Sequence, residues 1–124
     1  IDYVREDYAA ALPHFQESLS CRRAAGAIDQ VAFALQTLAS AFVRAGDAKA
    51  AIPYLLEGQM IAEAIGSPVA KARLAMTAGD AYAALEQTDA ACVAYRASEK
   101  SAAGVSLTSY VDAARENAED VCRQ

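Results

Sequence analysis

The sequence predicts an all-α domain built as an array of about six antiparallel helices. One pattern recurs three times at a spacing of 40 residues, and a fixed period of this size is typical of stacked helical repeats. The residues that share this register are Ala11, Ala51 and Ala91, each followed by Phe15, Leu55 or Tyr95. About a quarter of the chain is alanine, which favours helices and lets them approach closely. No segment alternates with the period of two that marks a half-buried strand, so we expect no sheet.

Turn residues divide the chain into six helical segments. At Gly66, Ser67 and Pro68, glycine ends one helix, serine caps the next and proline occupies its first turn. Gly46 and Asp47 form a similar boundary, because glycine suits a left-handed C-terminal position and aspartate an N-cap. The predicted helices are 7–25, 29–45, 48–65, 69–86, 89–103 and 107–122. Each carries an apolar stripe at helical spacing.

The start of the chain resembles the end of a helix. Residues 3–5 are similar to residues 42–44, which close the second predicted helix. We therefore expect the chain to begin in the last turn of a helix that Glu6 and Asp7 end, and to be a fragment of a longer repeat protein. The first residues do not have the pattern of a signal peptide, so we expect none in this stretch.

Two prolines occupy matching positions, Pro13 and Pro53, about six residues after an aspartate that is expected to cap the helix. Proline removes one backbone hydrogen bond and bends a helix. One interpretation is that both helices bend locally around their partners. The alternative is that each helix begins one turn later.

Composition excludes some classes of function. The net charge is −5, and such an acidic surface repels phosphate, so we expect no nucleic-acid partner. No apolar run approaches the ~20 residues of a membrane span. Cys21, Cys92 and Cys122 are widely spaced and odd in number, which favours free, buried or half-buried thiols in a reducing cytoplasm over a redox or metal role.

The sequence resembles a tetratricopeptide repeat, in a variety with a period near 40 residues like that of bacterial regulatory proteins. The residues that carry the resemblance are Leu35, Leu38, Ala39, Phe42, Gly46, Asp47, Ala51, Ile52 and Leu55. Gly58 departs from the pattern, since the family usually has alanine there. The resemblance implies a right-handed superhelix with a partial repeat at 1–26, repeats at 27–66 and 67–105, and a polar capping helix at 106–124.

In that family the first helix of each pair lines a concave groove that holds a peptide or a partner helix. The residues that the resemblance places in the groove are Phe33, Gln36, Thr37, Ser40, Arg44, Arg73, Met76, Thr77 and Asp80. The family's lysine–asparagine clamp for a C-terminal carboxylate is missing, although Arg44 and Arg73 are able to pair with a carboxylate. We therefore expect a protein-interaction scaffold.

A different hypothesis is a structural spacer that associates with itself through apolar residues at its N-terminal end, Ile1, Tyr3 and Val4. Neither hypothesis involves an enzyme, a cofactor or a metal. The single histidine, His14, has no nucleophile or second ligand at a suggestive spacing.

Overall fold

A computed structural model describes the backbone of residues 3–123 and the side chains of residues 5–123. This part of the chain contains six helices and no strand, which confirms the all-α prediction. The helices are α1 (Tyr3–Ala25), α2 (Ile28–Arg44), α3 (Ala48–Ile65), α4 (Pro68–Ala84), α5 (Thr88–Ala103) and α6 (Thr108–Cys122). None of the described helices combines the length and the hydrophobicity needed to cross a membrane.

Consecutive helices pack against each other in opposite directions. Tyr8, near the start of α1, lies under the guanidinium group of Arg44 at the end of α2. Near the other end of the same pair, Arg22 of α1 lies over the ring of Phe33 in α2. Short loops between contacting helices give the same antiparallel arrangement along the chain.

The even-numbered helices also contact one another side by side. The amide of Gln36 in α2 donates a 3.1 Å hydrogen bond to the hydroxyl of Thr77 in α4. The amide of Asn117 in α6 lies 3.5 Å from the sulfur of Met76 in α4. Helices α2, α4 and α6 therefore form one layer, to which the odd-numbered helices add a second.

Each turn between helices contains one residue with a left-handed backbone, and these residues are evenly spaced. They are Gly26, Gly46, Gly66, Glu86 and Ser106, with φ between 58° and 91°. The spacing is 20 residues, half of the sequence period, because each 40-residue unit contains two helices and two turns. Asp47 and Ser67 accept hydrogen bonds from the backbone three residues later, as expected for N-caps.

The first helix differs from its prediction. Helix α1 runs without a break through Glu6 and Asp7, so the expected end of a remnant helix at these residues is wrong. Pro13 lies inside α1 and Pro53 inside α3, where Asp47 caps the N-terminus, so the alternative of a later helix start is also wrong. Ile1 and the side chains of Tyr3 and Val4, the expected association edge, lie outside the described residues.

The core is made of leucine and alanine between the two helix layers. Leu35, Leu38 and Leu74 have no exposed surface. Gly58 in α3 allows this close packing, because a Cβ atom there would lie 2.6 Å from a methyl group of Leu74. A side chain at position 58 would therefore crowd Leu74.

Two cysteines correct the expectation of free thiols. Cys92 in α5 and Cys122 in α6 form a disulfide, with their Cα atoms 5.1 Å apart. The antiparallel α5–α6 pair brings the start of one helix to the end of the other, which the sequence separation of 30 residues conceals. Cys21 is free, and it is exposed rather than buried.

Candidate functional site

The predicted groove residues lie on α2 and α4, in the layer of even-numbered helices. Thr77 is only 5% exposed, and its hydroxyl donates to the carbonyl of Arg73 and accepts from Gln36. Thr37 makes the corresponding bond to the carbonyl of Phe33. Each threonine hydroxyl therefore forms a hydrogen bond within its own helix. The Thr77 hydroxyl also links α2 to α4, so it is already bonded within the fold.

Three side chains from three helices form the most unusual feature of this face, which we call the Arg–Phe–Arg cluster. Phe33 of α2 is 46% exposed, a large fraction for a phenylalanine. The guanidinium carbons of Arg22 in α1 and Arg73 in α4 lie 5.9 Å and 5.5 Å from the centre of its ring. Guanidinium groups at this distance are attracted to the negative face of an aromatic ring.

Phe33 contributes to the walls of two cavities. The first, of about 170 Å³, lies between α2 and α4, with Gln36, Arg73 and Leu74 in its lining. The second, of about 180 Å³, lies between α1 and α2 and includes Arg22. Sites for small molecules usually measure roughly 300–1,000 Å³. Each cavity is therefore suited to one or two side chains rather than to a metabolite.

The two arginines of the cluster lack carboxylate partners among the described residues. Some other basic residues do pair with acids: Arg23 forms two hydrogen bonds to Glu57, at 2.6 and 2.9 Å, and Arg115 bonds Glu99 at 2.8 Å. The Nε atom of Arg73 is buried without an acceptor. A buried polar group without a partner is costly, so the packing of Arg73 against Phe33 carries a local cost in stability.

The remaining predicted residues are engaged within the fold. Arg44 lies over the ring of Tyr8, and its Nε donates to the hydroxyl of Ser40 at 3.5 Å. Asp80 accepts a hydrogen bond from Tyr95, and burial raises the pKa of Asp80 although this bond and Arg44 both oppose the rise. Burial and the bond to Asp80 also raise the pKa of Tyr95.

Sequence reasoning misses part of this site. In the sequence, Arg22 stands out only as one half of a basic pair with Arg23, and nothing indicates that Asp29, Ser67 and Val69 line a cavity. The predicted antiparallel order does indicate one of these contacts. Because the last turn of one helix faces the first turns of the next, Arg22 near the end of α1 is expected close to Phe33 near the start of α2. The described residues contain no group of three or more histidines, cysteines or acids placed to hold a metal ion.

No protein-family model and no curated protein matches this chain.

Proposed function

We propose that this chain is a protein-interaction module that binds a peptide or a partner helix across α2 and α4. The proposal rests on the exposed ring of Phe33. A cavity the size of a side chain lies between this ring and α1, and another lies between it and α4. Aromatic residues and arginine are both enriched in the cores of protein interfaces. The size of the cavities favours side chains of a partner as occupants.

The proposal includes a tetratricopeptide-like superhelix and a host among bacterial regulatory or assembly proteins. The 40-residue period, the antiparallel pairs and the lateral contacts of α2, α4 and α6 support the repeat architecture. Such arrays present extended surfaces and seldom carry out chemistry. We accordingly propose a non-enzymatic role without a cofactor.

The proposal is tested by affinity capture with the tagged wild-type chain and two variants. Phe33→Ser removes the exposed aromatic ring, and Val93→Ser is its control on α5, where valine is 70% exposed. We expect the wild-type chain and Val93→Ser to retain one partner that Phe33→Ser loses, with all three chains unfolding at similar temperatures. Identical captured proteins for all three chains would contradict the proposed binding face.

A structural spacer that associates with itself is the second candidate. An exposed apolar patch on α3 favours it, because Leu56 and Met60 are both exposed and border a shallow depression with Ala64. Sedimentation of the wild-type chain and of Leu56→Ser/Met60→Ser tests this candidate. A dimer that the double variant abolishes would support it, and a monomeric wild-type chain would exclude it.

The cytoplasmic location expected from the sequence is a separate proposal. The Cys92–Cys122 disulfide argues against it, since disulfides are rare in reducing compartments. Counting free thiols after rapid alkylation in intact cells tests the point. Three free thiols would support a cytoplasmic location, whereas one would indicate an oxidising compartment.

A further inference from the structure

We propose that the partner presents a single carboxylate, from an aspartate or glutamate flanked by apolar residues, to the Arg–Phe–Arg cluster. This inference rests on the proposed function, because it names the kind of peptide that the α2–α4 face holds. It makes Arg73, which lines the α2–α4 cavity, the residue that binds the carboxylate. Arg22 lines the neighbouring α1–α2 cavity and adds positive charge beside the same Phe33 ring, which is the apolar surface that both arginines approach.

The distribution of charges supports an acidic ligand. The chain has 16 acidic residues and 11 lysines and arginines, so carboxylates are in excess. Even so, neither Arg22 nor Arg73 forms an ion pair with a described residue, and both guanidinium groups approach Phe33 instead. Both cations approach the same exposed ring and have no carboxylate partner among the described residues, so they favour a carboxylate from a ligand.

The geometry of arginine favours a carboxylate over a neutral group. A guanidinium group that packs against an aromatic ring keeps its N–H groups directed outward in its own plane, where two of them can bind one carboxylate. Arg73 lines the α2–α4 cavity and forms no ion pair with a described residue. A carboxylate in this cavity would supply an ionic partner that the fold itself does not provide.

The surroundings limit the ligand to one carboxylate. Asp29 lines the same cavity as Arg73, and the net charge of −5 repels a run of acids. The rest of the cavity wall is mostly apolar and includes Ala32, Val69 and Leu74. An isolated acid beside apolar side chains matches this lining better than a polyacidic segment, which repulsion would weaken.

Selection from a phage-displayed library of random peptides tests the inference and does not require that the partner be identified first. The wild-type chain is compared with Arg22→Gln/Arg73→Gln, with Phe33→Ser, and with Arg96→Gln as a control for the loss of an exposed arginine on α5. We expect the wild-type chain and Arg96→Gln to enrich peptides with one acid next to apolar residues. The double arginine variant should lose these peptides while its thermal unfolding stays close to that of the wild-type chain.

A synthetic copy of the enriched peptide gives the quantitative test. Replacing its acid by the corresponding amide should weaken binding to the wild-type chain roughly tenfold or more, because a charge-assisted hydrogen bond is lost. The double arginine variant should bind the acid and amide peptides equally. Raising the salt from about 50 to about 500 mM should weaken only the acid peptide's binding to the wild-type chain.

The outcomes separate this inference from the proposed function. Enriched peptides without an acidic preference, lost by Phe33→Ser but kept by the double arginine variant, would overturn the carboxylate inference and leave the binding face in place. Failure to enrich any peptide that depends on Phe33 would overturn both.

Discussion

The phenolic hydroxyl of Tyr95 in α5 donates a 2.5 Å hydrogen bond to Asp80 in α4. Tyr95 is buried, and its ring lies against Gly79, the residue next to Asp80. One side chain therefore fills the space above a glycine and also provides a partner for a half-buried carboxylate. This contact joins α4 to α5, and it leads to the first two predictions.

The stability of the chain should depend on the ionisation of Asp80. Burial raises its pKa above the ordinary value of 3.8, so the folded chain holds this proton more tightly than the unfolded chain. The contribution of Asp80 to stability is complete below pH 3.8 and is lost as the pH rises through the folded-state pKa. Asp80→Asn keeps an oxygen acceptor for Tyr95 but cannot ionise. The free energy of unfolding of Asp80→Asn minus that of the wild-type chain should therefore increase as the pH rises from acid to neutral.

Urea unfolding of both chains at several pH values checks this expectation. A difference that does not change with pH, or that decreases as the pH rises, would show that Asp80 is not destabilised by burial. Tyr95→Phe is the companion variant, since it leaves the buried carboxylate without its donor. It should lower the free energy of unfolding at neutral pH by roughly 1–3 kcal/mol.

Gly79 should not tolerate a side chain. A Cβ atom at Gly79 would lie 2.5 Å from atoms of the Tyr95 ring, which the bond to Asp80 holds in place. We expect Gly79→Ala to lower the free energy of unfolding by roughly 1–3 kcal/mol. Gly104→Ala is the control, because its nearest atom would be a backbone oxygen at 3.6 Å and its φ is −63°. Equal stability for the two variants in urea would contradict the described packing of Tyr95.

Glycine should stabilise the two turns that lack it. Glu86 and Ser106 have φ of 60° and 58°, a conformation that is strained for residues with a Cβ atom. Glu86→Gly and Ser106→Gly should each raise the free energy of unfolding by about 0.5–1 kcal/mol. Gly66→Ala, at φ 64°, is the reverse change and should lower it. Chemical denaturation measures all three, and destabilisation by both glycine variants would rule out the left-handed assignment.

The disulfide should contribute a large share of the stability of α6. Closing a loop of 30 residues reduces the entropy of the unfolded chain and stabilises the fold by about 3–4 kcal/mol in the chain-entropy model. Cys122→Ser, or reduction of the wild-type chain, should produce a loss of this size. Cys21→Ser, at an exposed free cysteine, should change little. If oxidised and reduced chains unfold at the same urea concentration, the pairing of Cys92 with Cys122 is wrong.

Much of the fold follows from sequence periodicity. The 40-residue repeat and the residues at the turns predict six helices and nearly all of their boundaries, because capping and backbone preferences act locally. The 20-residue spacing of Gly26, Gly46 and Gly66 also indicates where the next two left-handed turn residues lie, at Glu86 and Ser106. The helix end predicted at Glu6 and Asp7 is wrong. An aspartate that is able to cap a helix does not interrupt one when the residues on both sides favour helix.

The candidate site is less accessible to sequence reasoning, since it depends on contacts between helices. The resemblance predicts Phe33 and Arg73 as groove residues, but the approach of Arg22 and Arg73 to the Phe33 ring depends on the relative placement of three helices. The disulfide escapes prediction for the same reason. Three cysteines permit three pairings, and only the antiparallel α5–α6 pair selects Cys92 with Cys122.

Site-specific photo-crosslinking most directly tests whether α2 and α4 hold a partner. A photoreactive phenylalanine analogue is placed at position 33 in one chain and at position 93 in another, because both positions are exposed but lie on different helix layers. We expect a discrete adduct with one partner from position 33, absent from position 93 and reduced by Arg22→Gln/Arg73→Gln in the same chain. Adducts of equal yield from both positions, or a discrete adduct from position 93 alone, would contradict the proposed binding face.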